Sequence, residues 1–196
     1  MEETLDQLSA MLPIDFFSMS LDLKKAPLGK RHLLPDFSEL LFENSFAKVF
    51  MGWSEKGLAF EMVVDKAFEE EDRIELFIDT RDLKSAGFLT KFCHHFMIEG
   101  TSAREVTAFR TEDRHELCDP EKIEVKGDFR TARYTLNILI PSECLHGYDP
   151  KAFDRLGFSY RINRVGGDPQ HFTLSSDYLM IEKQPSLWSS LQMRDA

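Results

Sequence analysis

RIELFIDTRDLKSAGFLTKFCHHFMI, residues 73–98, is the stretch on which the fold turns. Its opening alternates: Ile74, Leu76 and Ile78 fall on one side, and Glu75, Phe77 and Asp79 on the other. Successive side chains of an extended chain point to opposite faces, so 73–79 is expected to be a strand. DTRD (79–82) then reads as a turn whose Asp and Thr side chains hold backbone N–H groups; the alternative gives Arg81 a ligand for its planar fork. KFCHHFMI (91–98) resumes as a second strand. In that strand Phe92, His94, Phe96 and Ile98 share one face, and Lys91, Cys93, His95 and Met97 the other. The adjacent histidines therefore diverge and do not ligate one metal together, so no bound metal is expected. His94 keeps apolar company and is expected as a buried, neutral histidine bonded to a backbone or carboxylate acceptor. His95 falls on the face of Glu75 and Asp79, where it serves either a polar ligand-binding patch or a surface ion pair. The expected core of this stretch is Ile74, Leu76, Ile78, Phe92 and Phe96.

Working outward, strand signals recur on both sides. FAKVFMGW (46–53) and LAFEMVVD (58–65) flank the short polar turn SEKG, a hairpin pattern. EVTAFR (105–110), KIEVKG (122–127), RYTLNILI (133–140), LGFSYRINRV (156–165) and PSLWSSLQM (185–193) are further strands; 142–155 reads as turn and short helix. Many short strands without strand–helix alternation predict an all-β protein, an antiparallel β-sandwich. Before it, residues 2–12 have helical spacing (Leu5, Leu8, Met11, Leu12) up to Pro13. Residues 14–22 can be a strand, and 24–43 a long loop with one helical turn at 36–42. The expected organisation is an N-terminal extension over 1–43, packed on or near a sandwich over 44–196.

At 196 residues and 42% hydrophobic the chain can bury a core without cross-links. Cys93, Cys118 and Cys144 are odd in number and form no C-x-x-C pair, so they read as reduced thiols in a reducing compartment. A formal net charge of −10 argues against nucleic acid and against an anionic membrane surface as partners. No run of about 18 apolar residues is present, and the acidic start MEETLDQ lacks the basic region of an export signal, so a cytoplasmic location is expected. EEED (69–72) reads as a solvated loop, with calcium binding as the open alternative.

In order and spacing, DRIELFIDTRD, KFCHHF, LGFSYRINRVGGDPQHF and PSLWSSLQM resemble a group of bacterial proteins similar to carbohydrate-binding module family 9, whose fold is related to DOMON domains. The resemblance covers roughly residues 45–193. It implies a β-sandwich and a sugar site with an acidic residue, an arginine and an asparagine between two tryptophans. The acidic position matches Glu75 and the asparagine Asn163, while the arginine position falls near His95. The clamping tryptophans have no counterpart: 67–71 reads AFEEE, with Phe68 the one aromatic, and RVGG follows Asn163. Trp53 and Trp188 sit in other motifs and read as structural.

Two functions follow. The first is a non-catalytic binding module in which Glu75, His95, Arg161 and Asn163 hold a small polar molecule, such as a carbohydrate, by directional hydrogen bonds; Arg161 and Asn163 share a face as i and i+2. The second is an interaction or scaffold sandwich with a protein partner and no small-molecule ligand. No cofactor is expected: no C-x-x-C-H is present for haem, and His95 and Met97 lie too close together to flank one. G-x-S-x-G, H-E-x-x-H, Walker and Rossmann patterns are also absent, so the sequence gives no signature of an enzyme and leaves that reading open behind the other two.

Overall fold

The computed structural model describes residues 20–84, 88–106, 114–177 and 180–195. The predicted hairpin forms strands β2 (Ala47–Ser54) and β3 (Gly57–Val64). Gly57 closes its turn at φ +135°, where any Cβ would run into Ile140 and Pro141. Strands β7 (Glu124–Arg130) and β8 (Arg133–Pro141) extend the hairpin into a four-stranded antiparallel sheet, ordered β2-β3-β8-β7. Exposed charges along β7 keep that edge from pairing with other chains.

The second sheet holds β1 (Ser20–Lys24), β4 (Arg73–Asp79), β5 (Cys93–Glu99), β6 (Ser102–Glu105), β9 (Arg155–Asn163), β10 (Gln170–His171) and β11 (Ser189–Arg194). Its order is β1-β11-β9-β4-β5-β6, with β10 against β9. All pairs are antiparallel except β1 with β11, which run parallel. The described part of the N-terminal segment is thus woven into the sandwich. The expected helix at 2–12 lies outside the described residues, and helical structure among the described residues is confined to 3-10 turns of three or four residues. One of them, Ser38–Leu41, is the turn expected near 36–42.

The sheets bury Ile74, Leu76, Ile78, Phe96 and Ile98 against Phe60, Met62, Leu136 and Ile138. Phe60 and Phe158 stack between the sheets with centroids 5.8 Å apart. Gln170 fastens one sheet to the other: its carbonyl accepts from the N–H groups of Phe46 and Ala47, both at 2.9 Å, and its amide donates to the Ala47 carbonyl.

Three expectations need correction. Phe92 is not core: β5 starts one residue later, and Phe92 lies half-buried against the ring of His146. The cysteines are not all reduced, because Cys118 and Cys144 form a disulfide, leaving buried Cys93 free. Their 26-residue separation is closed by the fold, which no local spacing could announce. Finally, the Glu75/Phe77/Asp79 face, read above as a polar ligand patch or the place of a surface ion pair, is buried at all three residues. The chain returning from β10 to β11 covers it with a second apolar cluster of Phe77, Cys93, Leu174, Ile181 and Trp188. Trp188 anchors this cover, stacking on Phe77 at 5.8 Å and donating its indole N–H to the Ile181 carbonyl at 2.9 Å. Trp53 is likewise structural, buried and donating to the Arg194 carbonyl.

Candidate functional site

Register brings the four predicted residues together. Glu75 pairs with Arg161 across β4 and β9, Asn163 sits opposite Arg73, and His95 sits opposite Phe77. Odd-numbered residues of β4, β5 and β9 therefore project from one face, away from the main core. Glu75 is the hub, with its side chain only 4% exposed. Arg161 donates to it through Nε at 2.9 Å and Nη2 at 2.8 Å, a two-pronged pair. Asn163 donates its amide at 2.8 Å, and His95 donates from Nε2 at 2.9 Å. A carboxylate offers about four acceptor sites, so Glu75 is saturated by its own neighbours.

That saturation assigns distinct tasks. Glu75 positions the others and has little capacity left for an outside group. His95, with Nε2–H committed, presents Nδ1 as the lone-pair nitrogen when neutral. Asn163, with its amide committed, keeps its Oδ1. Arg161 also reaches Glu182 from Nη1 at 3.4 Å, which draws the covering segment into the network.

Burial alone would push the Glu75 carboxyl up, but the bonds and charges of His95 and Arg161 outweigh it and hold the group at about 2, against an ordinary 4.5. A depressed carboxyl contributes its full stabilisation above pH 4.5 and loses it as pH falls toward 2. A shift of this size corresponds to about 3 kcal/mol. The unfolding free energy should fall by about that amount between those pH values on account of Glu75, and the loss should be absent from Glu75→Gln. Urea titrations at stepped pH measure both.

Some site residues were not legible. His171 pairs with Arg161 and so joins the same face, buried, but its strand has only two residues and shows no alternation. Its Nδ1–H donates to the Ser175 carbonyl at 2.9 Å, and Nε2 is buried with no partner among the described residues. Burial lowers its pKa, so this nitrogen is an unused acceptor near neutral pH. Glu182 lies on a covering turn that reads as loop. Conversely, Phe68 does not supply a stacking platform, because it packs on Phe129 and Tyr134 at 4.8 and 5.4 Å.

The DTRD turn takes its structural role. Asp79 accepts from the N–H groups of Arg81 and Leu83, at 2.9 and 2.6 Å, while Thr80 donates to the His146 carbonyl at 2.8 Å. The guanidinium carbon of Arg81 lies over Phe153, 3.3 Å from the ring centroid. In the acidic loop, Asp72 is buried and bonded by Lys66 at 2.6 Å, so an ammonium holds a carboxylate that calcium would need. A cleft of about 300 Å³ beside Leu33–Asp36 and Tyr160 is mainly apolar and lies apart from Glu75.

No protein-family model and no curated protein matches the chain. Solved structures do. A carbohydrate-binding module of family 9 from Caldicellulosiruptor kristjanssonii, solved with cellotriose, superposes with a TM-score of 0.61 at 13% identity, over 91% of this chain and 95% of that one. The family 9 structure solved with glucose gives 0.61 at 12%, over 91% and 97%. A candidate carbohydrate-binding protein from Bacteroides uniformis gives 0.50 at 9%, over 90% and 98%. The chain has the β-sandwich fold of the family 9 carbohydrate-binding modules.

Proposed function

We propose that the protein is a non-catalytic binding module for a small polar ligand of the carbohydrate class, recognised where the half-buried His95, Arg161 and Asn163 emerge beside the segment that covers the outer face of the seven-stranded sheet. The observation that carries this reading is the saturated Glu75 carboxylate, which holds His95, Arg161 and Asn163 in fixed orientations. Fixed donors and acceptors lose little freedom on binding, which suits hydroxyl recognition. The fold likeness supports the same reading, since two of the similar structures were solved with sugars. In the absence of a tryptophan clamp, recognition rests on hydrogen bonds more than on stacking. The cytoplasmic location rested partly on three reduced cysteines, and the disulfide removes that support; such bonds persist in oxidising compartments.

Titration calorimetry with glucose, cellotriose and a panel of other soluble saccharides tests the proposal. Asn163→Ala should weaken the bound sugar by about 2- to 12-fold, the scale of a neutral hydrogen bond worth about 0.5–1.5 kcal/mol. Absence of binding across the panel, or binding indifferent to both His95→Ala and Asn163→Ala, would refute the site. The second reading, a protein-binding sandwich, draws on the apolar tip at Leu40 and Phe42, which are 69% and 95% exposed.

A further inference from the structure

The two adjacent histidines serve two carboxylates on opposite faces. His95 turns outward to Glu75, and His94 turns inward to Glu105. The inward group is the tighter. Glu105 ends β6 opposite Phe96, and its Oε1 lies 2.6 Å from His94 Nδ1 and 2.7 Å from His115 Nε2. Its Oε2 accepts the N–H of Cys118 at 2.8 Å. The side chains of His94, Glu105 and His115 are 0%, 1% and 6% exposed.

The far side of each ring decides what the near side can do. His115 Nδ1 lies 2.7 Å from the Lys91 carbonyl, and His94 Nε2 lies 3.3 Å from the His146 carbonyl. A carbonyl only accepts, so both outer nitrogens carry hydrogens. A neutral imidazole has only one, so each inner nitrogen then presents its lone pair to a carboxylate oxygen. Lone pair facing lone pair is repulsive in a buried site unless a cation stands between. Two extra protons would serve, and so would one divalent metal ion. The charge is the same either way: two imidazolium ions with a carboxylate sum to +1, and so do two neutral imidazoles, a carboxylate and a divalent ion. Metal-bound histidines characteristically donate their other ring N–H to a carbonyl or carboxylate, the pattern both rings already show.

We propose that His94, Glu105 and His115 form a binding site for a divalent transition-metal ion, zinc above all, at the edge of the sandwich where β5 and β6 meet the segment leading to Cys118. The three ligand atoms lie within 4.8 Å of one another. Two imidazoles and a carboxylate suit zinc or cobalt better than calcium, which takes oxygen ligands. Metal–ligand bonds of about 2.0–2.1 Å set tetrahedral edges of about 3.3 Å, so the two nitrogens would move outward from Glu105 Oε1 by about 0.6–0.7 Å. Water would take the fourth position. The ion would pin the 114–119 segment to the sheet beside the Cys118–Cys144 bond. Sequence reasoning passed over the site because it looked for ligands along one strand, whereas Glu105 and His115 come from a neighbouring strand and a loop.

The test uses the full chain, stripped with a chelator and titrated with Co²⁺ and then Zn²⁺. One Co²⁺ per chain should give visible bands of tetrahedral character, and Zn²⁺ should displace it. His115→Ala should weaken Zn²⁺ binding by more than about 100-fold, beyond what loss of a supporting partner alone costs. Should that variant not fold, the imidazole nitrogen resonances of the unaltered chain decide. Zn²⁺ must then shift the inner nitrogens of His94 and His115 while leaving those of His95 in place. Lack of uptake at one ion per chain, or uptake that leaves these nitrogens unmoved or is indifferent to His115→Ala, overturns the proposal and leaves a carboxylate bridged by protons alone.

Discussion

Replacing Glu75 by alanine is expected to destabilise the protein by about 3–5 kcal/mol, the cost of removing one partner from a buried ion pair. The magnitude follows from what is left behind. Arg161, 17% exposed in its side chain, keeps only the longer contact to Glu182 at 3.4 Å among its ion pairs described above. The Asn163 amide and His95 Nε2–H lose their common acceptor. Glu75→Gln should fall between wild type and alanine, because its amide keeps the shape but donates where the carboxylate accepted. Urea midpoints of Glu75→Ala, Arg161→Ala and the double variant would yield the coupling energy, and the double variant should lose markedly less than the sum. A cost of about 1 kcal/mol or less for Glu75→Ala would place the group among screened surface pairs.

Trp188→Ala should be comparably damaging, at about 3–5 kcal/mol for a fully buried aromatic. Its ring is 1% exposed, stacks on Phe77, and carries the bond that holds the Ile181 turn. Loss of this side chain uncovers the outer face locally. Cys93 supplies a second readout, since its thiol is buried in the same cluster and burial pushes its pKa up to about 11. It should be inert to thiol reagents in the wild type and react measurably in Trp188→Ala. Chemical denaturation and a labelling time course check the two parts. An unchanged midpoint would mean that the second cluster is an ornament on a sheet already stable without it.

Alternation made the sheet and half of the site legible. Ile74, Leu76 and Ile78 went inward because a period of two leaves no other choice, and the same rule put Glu75 and His95 on the opposite face. Resemblance to a family brought Arg161 and Asn163 alongside; nothing local says which strands are neighbours. What escaped was fixed by chain that has no period. Gln170 and His171 occupy a two-residue strand, and Ile181 and Glu182 sit on a turn. Glu105 and His115 meet through a loop, and Cys118 meets Cys144 across the whole β7–β8 hairpin that lies between them in the chain. Phe92 failed for the reverse reason: the apolar pattern ran one residue past the start of the strand at Cys93.

The cover over the outer face changes how β4 meets solvent. From Ile74 to Asp79 every residue of this strand is buried, and it has a hydrogen-bonded neighbour on each side. Its backbone amides are therefore shielded above, below and laterally. Fraying of an edge or lifting of a loop does not expose them, so their hydrogens exchange with water only when the whole domain opens. Amide exchange at Glu75 is thus expected to report the global unfolding equilibrium, and the network built on that residue inherits the rigidity of a strand buried from Ile74 to Asp79 and paired on both sides.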